Sequence, residues 1–372
     1  MHTSRFISVA CIFLAASLIC YSCAKGPDYS PEIKRLQEVV NENPDNPVTY
    51  EKLIIALNKD SYYKEALQYA TEISDIKPDS PIGLFYMGVC NEKLKDWNAA
   101  EENYKKLCEL FPENINGYKR LGTLYYKKGD FSKCIDTLKK ALTLNTADTA
   151  IRINTLLFIA NAYYYNGDID SAYASLDTIL EIEPDNKEAL YDYGLFKLRE
   201  NNYSDAIQYL SKLVYENPKK ALPYFRLGKA YYHSRQLDKA KEAFWNAGQF
   251  DPTLKILARL VYAQNLGSTY NEINSAIIKV LEEYNYRQGD TFIVKGMVEN
   301  MGLEVAKDVK LTVQFYDKDN NLLEQTYFTT SPRNLRPEQY TFFKTEIPYS
   351  EKISHVKVEP SWQKRSTHIR FK

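Results

Sequence analysis

The chain has 372 residues, room for two domains, and its 48 Lys and Arg balance 48 Asp and Glu. That balance leaves no electrostatic footprint for a nucleic-acid partner. The four histidines are scattered (His2, His233, His355, His368), a pattern that offers neither a metal cluster nor a catalytic dyad.

The chain opens "MHTSRFISVACIFLAASLICYSC", a short basic start followed by an uncharged apolar run from Phe6 to about Ile19. That is the layout of a secretory signal. The "CYSC" before "AKGPDYS" resembles a bacterial lipoprotein processing site, with small Ser22 ahead of Cys23. Cys20 and Tyr21 depart from the usual aliphatic-then-small pair. The resemblance implies a signal peptide over 1–22, lipidation of Cys23, and membrane attachment in a cell envelope facing the periplasm or exterior, on the outer membrane where the cell has one. An uncleaved anchor is the other reading, although a run of 17 residues from Phe6 to Ser22 is at the short limit for spanning. After processing, Cys90, Cys108 and Cys134 remain besides the anchor, an odd number that does not read as a disulfide framework.

After a tether, "PEIKRLQEVVNENP" reads as a lone helix, so 23–45 is assigned to tether and cap. From there the chain keeps a fixed period. Prolines recur at Pro44, Pro78, Pro112, Pro184, Pro218 and Pro252, and four of the five steps are 34 residues. The remaining step, 72, is two periods plus four residues, with Thr146 at the missing proline and the surplus in "ADTAIRIN". A period of 34 predicts a solenoid of helix–turn–helix units, six of them over 46–252. In register, the eighth position carries Ile54, Gly88, Gly122, Ala160, Gly194 and Gly228. The twentieth carries Ala66, Ala100, Cys134, Ala172, Ala206 and Ala240. Small residues at both predict close helix–helix approach. "KKGDF" and "YNGDI" supply a glycine to end one helix and an acidic cap to begin the next.

These copies, best seen in "YKRLGTLYYKKGDFSKCIDTLKKALTLN" and "YFRLGKAYYHSRQLDKAKEAFWNAGQFDP", resemble tetratricopeptide repeats. The resemblance implies an all-α superhelix whose first helices line a concave, partner-binding wall. It places Lys119, Tyr126, Lys127, Leu157, Asn161, Tyr164, Tyr165, Tyr191, Arg199, Phe225, Lys229, Tyr232 and His233 on that wall. A competing reading has Tyr164 and Tyr232 covering neighbouring helices instead. Thr123, Phe158 and Asp192 stand where the carboxylate clamp of chaperone-binding relatives needs other ligands, so a free C-terminal carboxylate is not implied.

"TLKILARLVYAQNL" and "YNEINSAIIKVLEEY" read as capping helices over 253–286. The period then changes to two: Val309, Leu311, Val313 and Phe315 alternate with polar residues, "DKDNN" makes a turn, and "LLEQTYFTT" returns. "TFIVKGMVEN", "QYTFFKTEI" and "KISHVKVEP" complete a small immunoglobulin-like β-sandwich over 287–372. "VKGMVENMG", with Gly296 and Asn300, and "FYD" resemble the FxLYD family of extracytoplasmic domains, although Glu338 replaces an expected glycine. That family transfers no catalytic residue.

No phosphate-cradling loop or nucleophile elbow is present, so the chain reads as a non-enzyme without cofactor or metal. The expected function is a membrane-anchored scaffold that binds a protein or peptide in its groove and assists an envelope, secretion or pilus assembly. The alternative is cell-wall or carbohydrate binding through the sandwich, with Trp362 as an exposed aromatic and the repeats as spacer.

Overall fold

In the computed structural model the described residues are 29–144, 148–216, 219–251, 278–300, 305–336 and 339–363. The leader with Cys23, Thr146, Glu338, His368 and most of the capping-helix segment lie outside them. Thirteen α-helices among the described residues precede six β-strands, and the chain divides into two units after Tyr86.

The first unit holds α1 (Pro31–Glu42), α2 (Pro47–Lys59), α3 (Tyr63–Ile76) and the start of α4 (Pro81–Lys93). The cap is the helix its sequence predicts, started by Ser30, whose hydroxyl accepts from the Ile33 N–H. Copy one breaks the small-residue rule at Ile54, and the reason is visible in its register. In later copies, position eight faces a large residue at position twenty-four; in copy one that place is Ala70. Ile54 and Ala70 are both fully buried, so the volume is exchanged between the two helices rather than added.

The second unit continues with α5 (Trp97–Leu110), α6 (Ile115–Lys128), α7 (Phe131–Thr143), α8 (Thr149–Asn166) and α9 (Ile169–Ile182). After them come α10 (Lys187–Arg199), α11 (Tyr203–Glu216), α12 (Ala221–His233) and α13 (Leu237–Phe250). A Cβ on Gly122 would lie 2.4 Å from Leu138, one on Gly194 2.5 Å from Leu210, and one on Gly228 2.7 Å from Phe244. Such distances exclude a side chain. All six residues at position twenty have no exposed surface. Cys134 is thus a packed small residue, and Cys90 and Cys108 are buried as well. The four surplus residues between copies three and four lengthen α8 to 18 residues, against 13 or 14 in the other repeat helices.

Position fifteen turns each pair, and its backbone is left-handed in every copy. Gly129 and Gly167 adopt it at φ 72° and 88°, while Ser61, Lys95, Asn201 and Arg235 do so at 62–66°. Asp96, Asp168 and Asn186 cap the helices that follow them through side-chain oxygens.

Two antiparallel three-stranded sheets follow, in orders β1-β2-β5 and β4-β3-β6. The strands are β1 (Ile278–Gln288), β2 (Thr291–Asn300), β3 (Lys307–Tyr316), β4 (Leu322–Thr329), β5 (Tyr340–Pro348) and β6 (His355–Gln363). Val309, Leu311, Val313 and Phe315 are fully buried between the sheets with Phe292, Val294, Val298 and Phe343. Asn300 is buried there too, its amide donating to the Leu335 carbonyl at 2.8 Å. Trp362 is not presented to solvent as expected: it is half-buried against this core, with its indole nitrogen buried.

One boundary needs correction. The capping-helix reading ran to 286, yet 278–288 is strand β1. A bulge between Val280 and Glu282 explains the misreading. Leu281 packs against the α12–α13 cluster, whereas Tyr284 and Tyr286 pack against the α5–α7 cluster. Even-numbered Val280 packs against the sandwich core before the bulge, whereas even-numbered Tyr284 and Tyr286 pack against the helices after it, so the period-two signal is erased.

Candidate partner-binding groove

The first sheet lies against the inner helices of the second unit, so its strands bury both faces. In β2, Phe292, Val294 and Val298 enter the sandwich core while Ile293 joins the helical core. At one end of this contact the chemistry is aromatic. Trp97, 4% exposed, stacks on Tyr286 with centroids 4.2 Å apart and planes within 3°. The Arg287 N–H donates to the Lys95 carbonyl beside it. Further along, Tyr165 meets Tyr340 and Phe342 at 5.5 and 5.8 Å, and Phe131 meets Phe342 at 5.8 Å.

At the other end the contact is ionic. The fully buried Glu299 of β2 accepts from Arg226 at 2.7 and 3.2 Å and from Arg199 at 2.8 Å. Burial by itself raises the Glu299 pKa, but Arg226, then Arg199, outweigh it and hold the carboxyl at about 2. Lys229 is also fully buried, and burial followed by Arg226 pushes its ammonium well below the usual lysine range. Arg199 further contacts the Tyr340 face at 4.7 Å and donates to the Tyr165 hydroxyl at 3.3 Å.

Between α6, α8, α10 and α12 a cavity of about 710 Å³ remains open. Leu157, Phe158, Leu213, Leu222 and Pro223 give it an apolar lining, with Tyr126, Tyr191 and Tyr284 at its walls. Asn154, Asn161, Asp192, Lys187 and Lys220 add polar groups. The Asn161 amide is held by the Asp192 carboxylate at 2.6 Å and by the Leu157 carbonyl at 3.1 Å. This is the size and mixed lining of a site for a ligand with apolar anchors.

Known proteins explain the scaffold that carries this cavity. Models of the tetratricopeptide repeat match residues 83–114, 116–148 and 163–222. The chain contains tetratricopeptide repeats. It is 28% identical over 247 residues to a TPR repeat-containing protein of Methanocaldococcus jannaschii, covering 62% of this chain and 42% of that protein. It is 25% identical over 201 residues to the mouse (Mus musculus) intraflagellar transport protein 70A1, covering 52% of this chain and 29% of that one. It thus spans less than half the length of these relatives. Among solved structures, the C-terminal part of a TPR repeat-containing protein from Cytophaga hutchinsonii superposes with a TM-score of 0.51 at 18% identity. That match covers 62% of this chain and 92% of the other, and it bears on the fold alone.

The tetratricopeptide register places the expected wall residues unequally. Tyr126, Leu157, Asn161 and Tyr191 line the open cavity. Lys119 is half-buried, and burial, then Arg120, lowers its pKa. Lys127 is turned to Glu92 at 3.0 Å. Tyr165 and Arg199 are taken up by the chain's own β-region, and Lys229 is fully buried. Two expectations are corrected. Tyr164 is 7% exposed and stacks on Phe196 at 3.8 Å, so it fills the core between neighbouring copies. Phe225 is fully buried against Phe244, also in the core. Tyr232 is half-buried with its edge on His233, and His233 stacks on Tyr203 at 5.1 Å. Burial, then Lys229 and Arg235, depresses the His233 imidazole to about 4.

Sequence reasoning missed Arg226, Glu299, Trp97 and Tyr286. Arg226 left a readable trace. At the same position in copy three, Arg120 faces Glu92, which is position twelve of the copy before. Position twelve of copy five is Leu198, so Arg226 has no acid at the equivalent place in the repeats.

Proposed function

We propose that the chain is a non-enzymatic protein-interaction scaffold that takes a short partner segment in the cavity bounded by α6, α8, α10, α12 and β1. The observation that carries this is the cavity itself: aromatic walls and an apolar floor, edged by oriented amides, on a repeat array built for surface display. Tyrosines at its walls are favoured anchors, since they bring large area at little entropic cost. Lipidation at Cys23 would hold this scaffold on a bacterial envelope membrane, where it would assist assembly of an envelope, secretion or pilus complex.

The test has two arms. A photo-crosslinking side chain at Asn154 should trap a defined partner in detergent-solubilised envelopes, and Leu157→Asp with Leu222→Asp should reduce trapping at least ten-fold while helical content is kept. Unchanged trapping in that variant removes the cavity as the site. Separately, Cys23→Ser should leave an unprocessed precursor without acyl label; normal cleavage and labelling would overturn the lipid anchor.

A further inference from the structure

Where the first sheet meets the α6–α7 turn there is a second, smaller cavity of about 350 Å³. Its sheet wall is built by register. Lys295 of β2 stands directly opposite Lys344 of β5, and Tyr284 of β1 stands opposite Lys295 on the other side. All three line the cavity. Like charges opposite each other on neighbouring strands repel, so this pair is costly unless an anion lies between the two ammonium groups. The nearby carboxylates are engaged elsewhere. Asp130 attracts Lys295 but pairs with Lys133 at 3.5 Å, and Lys344 reaches Glu346 of its own strand only at 3.9 Å. Lys127 and Lys128, also in the lining, are held by Glu92 at 3.0 Å and Glu101 at 2.5 Å. Burial lowers the Lys295 pKa to about 8; Asp130 opposes this, while Lys128 and Lys344 reinforce it. The rest of the lining includes the rings of Phe131 and Phe342, 5.8 Å apart, and Phe342 keeps 45% of its surface exposed.

We propose that this cavity binds a small aromatic carboxylate, its carboxylate bridging Lys295 and Lys344 and its ring against Phe131 and Phe342. The two halves of the lining set that chemistry. A small acid without a ring leaves the aromatic surface wet, and a ring without a charge leaves the lysines facing each other. A cavity of this size is at the lower end of small-molecule sites, which suits a single ring with one acidic group. The site goes beyond the partner groove and does not depend on it, although Tyr126 and Tyr284 wall both cavities.

Benzoate serves as the probe on the full chain, measured by calorimetry, with benzamide (the ring without the charge) and acetate (the charge without the ring) as controls. Benzoate should bind saturably and about ten-fold or more tightly than either control. A bound carboxylate raises the Lys295 pKa, so at about pH 8.5 binding should take up protons, seen as a heat that changes with the ionisation enthalpy of the buffer. Lys295→Gln should weaken benzoate about ten-fold and remove the proton uptake. Lack of saturable binding, benzamide binding as well as benzoate, or wild-type affinity in Lys295→Gln overturns the proposal. Should Lys295→Gln not fold, the wild-type comparison of benzoate with its controls decides alone, and benzoate binding without proton uptake there sinks the idea. Trapping from Asn154 reads the groove and not this cavity, so failure of the scaffold reading is separately visible.

Discussion

Arg120 and Arg226 occupy the same position in copies three and six, yet they live in different electrostatic worlds. The Arg120 side chain is 46% exposed and sits 3.9 Å from Glu92, an acid supplied by the repeat before it. That of Arg226 is 1% exposed and makes two bonds to Glu299, 73 residues further along the chain. The helical repeat determines where the guanidinium points, and the neighbourhood determines what it is worth. Where the array supplies its own counter-charge, the pair stays wet and weak. Where it does not, the charge becomes a docking point for another layer of the molecule.

The largest expected effect breaks that contrast directly. Arg226→Met leaves Glu299 buried with part of its compensation gone, which should cost about 3–5 kcal/mol. Arg120→Met should cost less than about 1 kcal/mol, as exposed pairs do. Chemical denaturation of both variants measures the difference; equal losses would mean that burial does not separate the two sites.

A second contrast lies within the sheet–solenoid contact, between the Trp97–Tyr286 stack and the Glu299 cluster. Trp97→Ala removes a buried ring at a cost of about 3 kcal/mol, with no dependence on pH. The Glu299 end should be acid-sensitive. Its folded pKa, about 2, lies below the ordinary value of 4.5, so its contribution is complete above pH 4.5 and is lost as pH falls toward 2. His233 acts in a higher window: depressed from 6.5 to about 4, it contributes above pH 6.5 and loses that contribution as pH falls toward 4. Burial raises the Glu101 pKa, but Lys105 and Lys128 outweigh it and hold the carboxyl at about 2, so Glu101 shares the lower window while belonging to the helices alone. Melting curves between pH 7 and 3 should therefore fall in two stages, and His233→Phe should flatten the first. A profile unaffected by that substitution would show that His233 titrates normally.

The smallest effect concerns the turns. Arg235, exposed and at φ 62°, sits where copies three and four use glycine. Arg235→Gly should relieve left-handed strain and stabilise the fold by about 0.5–1 kcal/mol, net of the entropy glycine loses. A lower melting temperature would show that the arginine side chain contributes more than its backbone costs.

These contrasts also mark what could be read beforehand. The proline period, the small residues at positions eight and twenty and the alternation through Phe315 are local signals, each produced by one element meeting its sequence neighbour. They gave the helical array and five of the six strands. Position in the register alone put Tyr164 and Tyr191 on the same wall, but only Tyr191 faces the cavity, because the Phe196 ring claims Tyr164. The contact of the sheet with the helices joins residues up to 211 apart, as Phe131 and Phe342 are, and no periodic pattern encodes such a pairing. Leu198, standing where copy two has Glu92, was the one clue to it.

The bulge in β1 has an engineering consequence. It acts as a phase shifter between two ends of one strand: Leu281 must reach copy six, and Tyr284 and Tyr286 must reach the helices around Trp97. Deleting a single residue there would restore a regular ladder, yet it would turn one end of the strand away from the solenoid. Grafting this β-region onto another repeat array therefore requires matching a half-step in the strand as well as the shape of the groove.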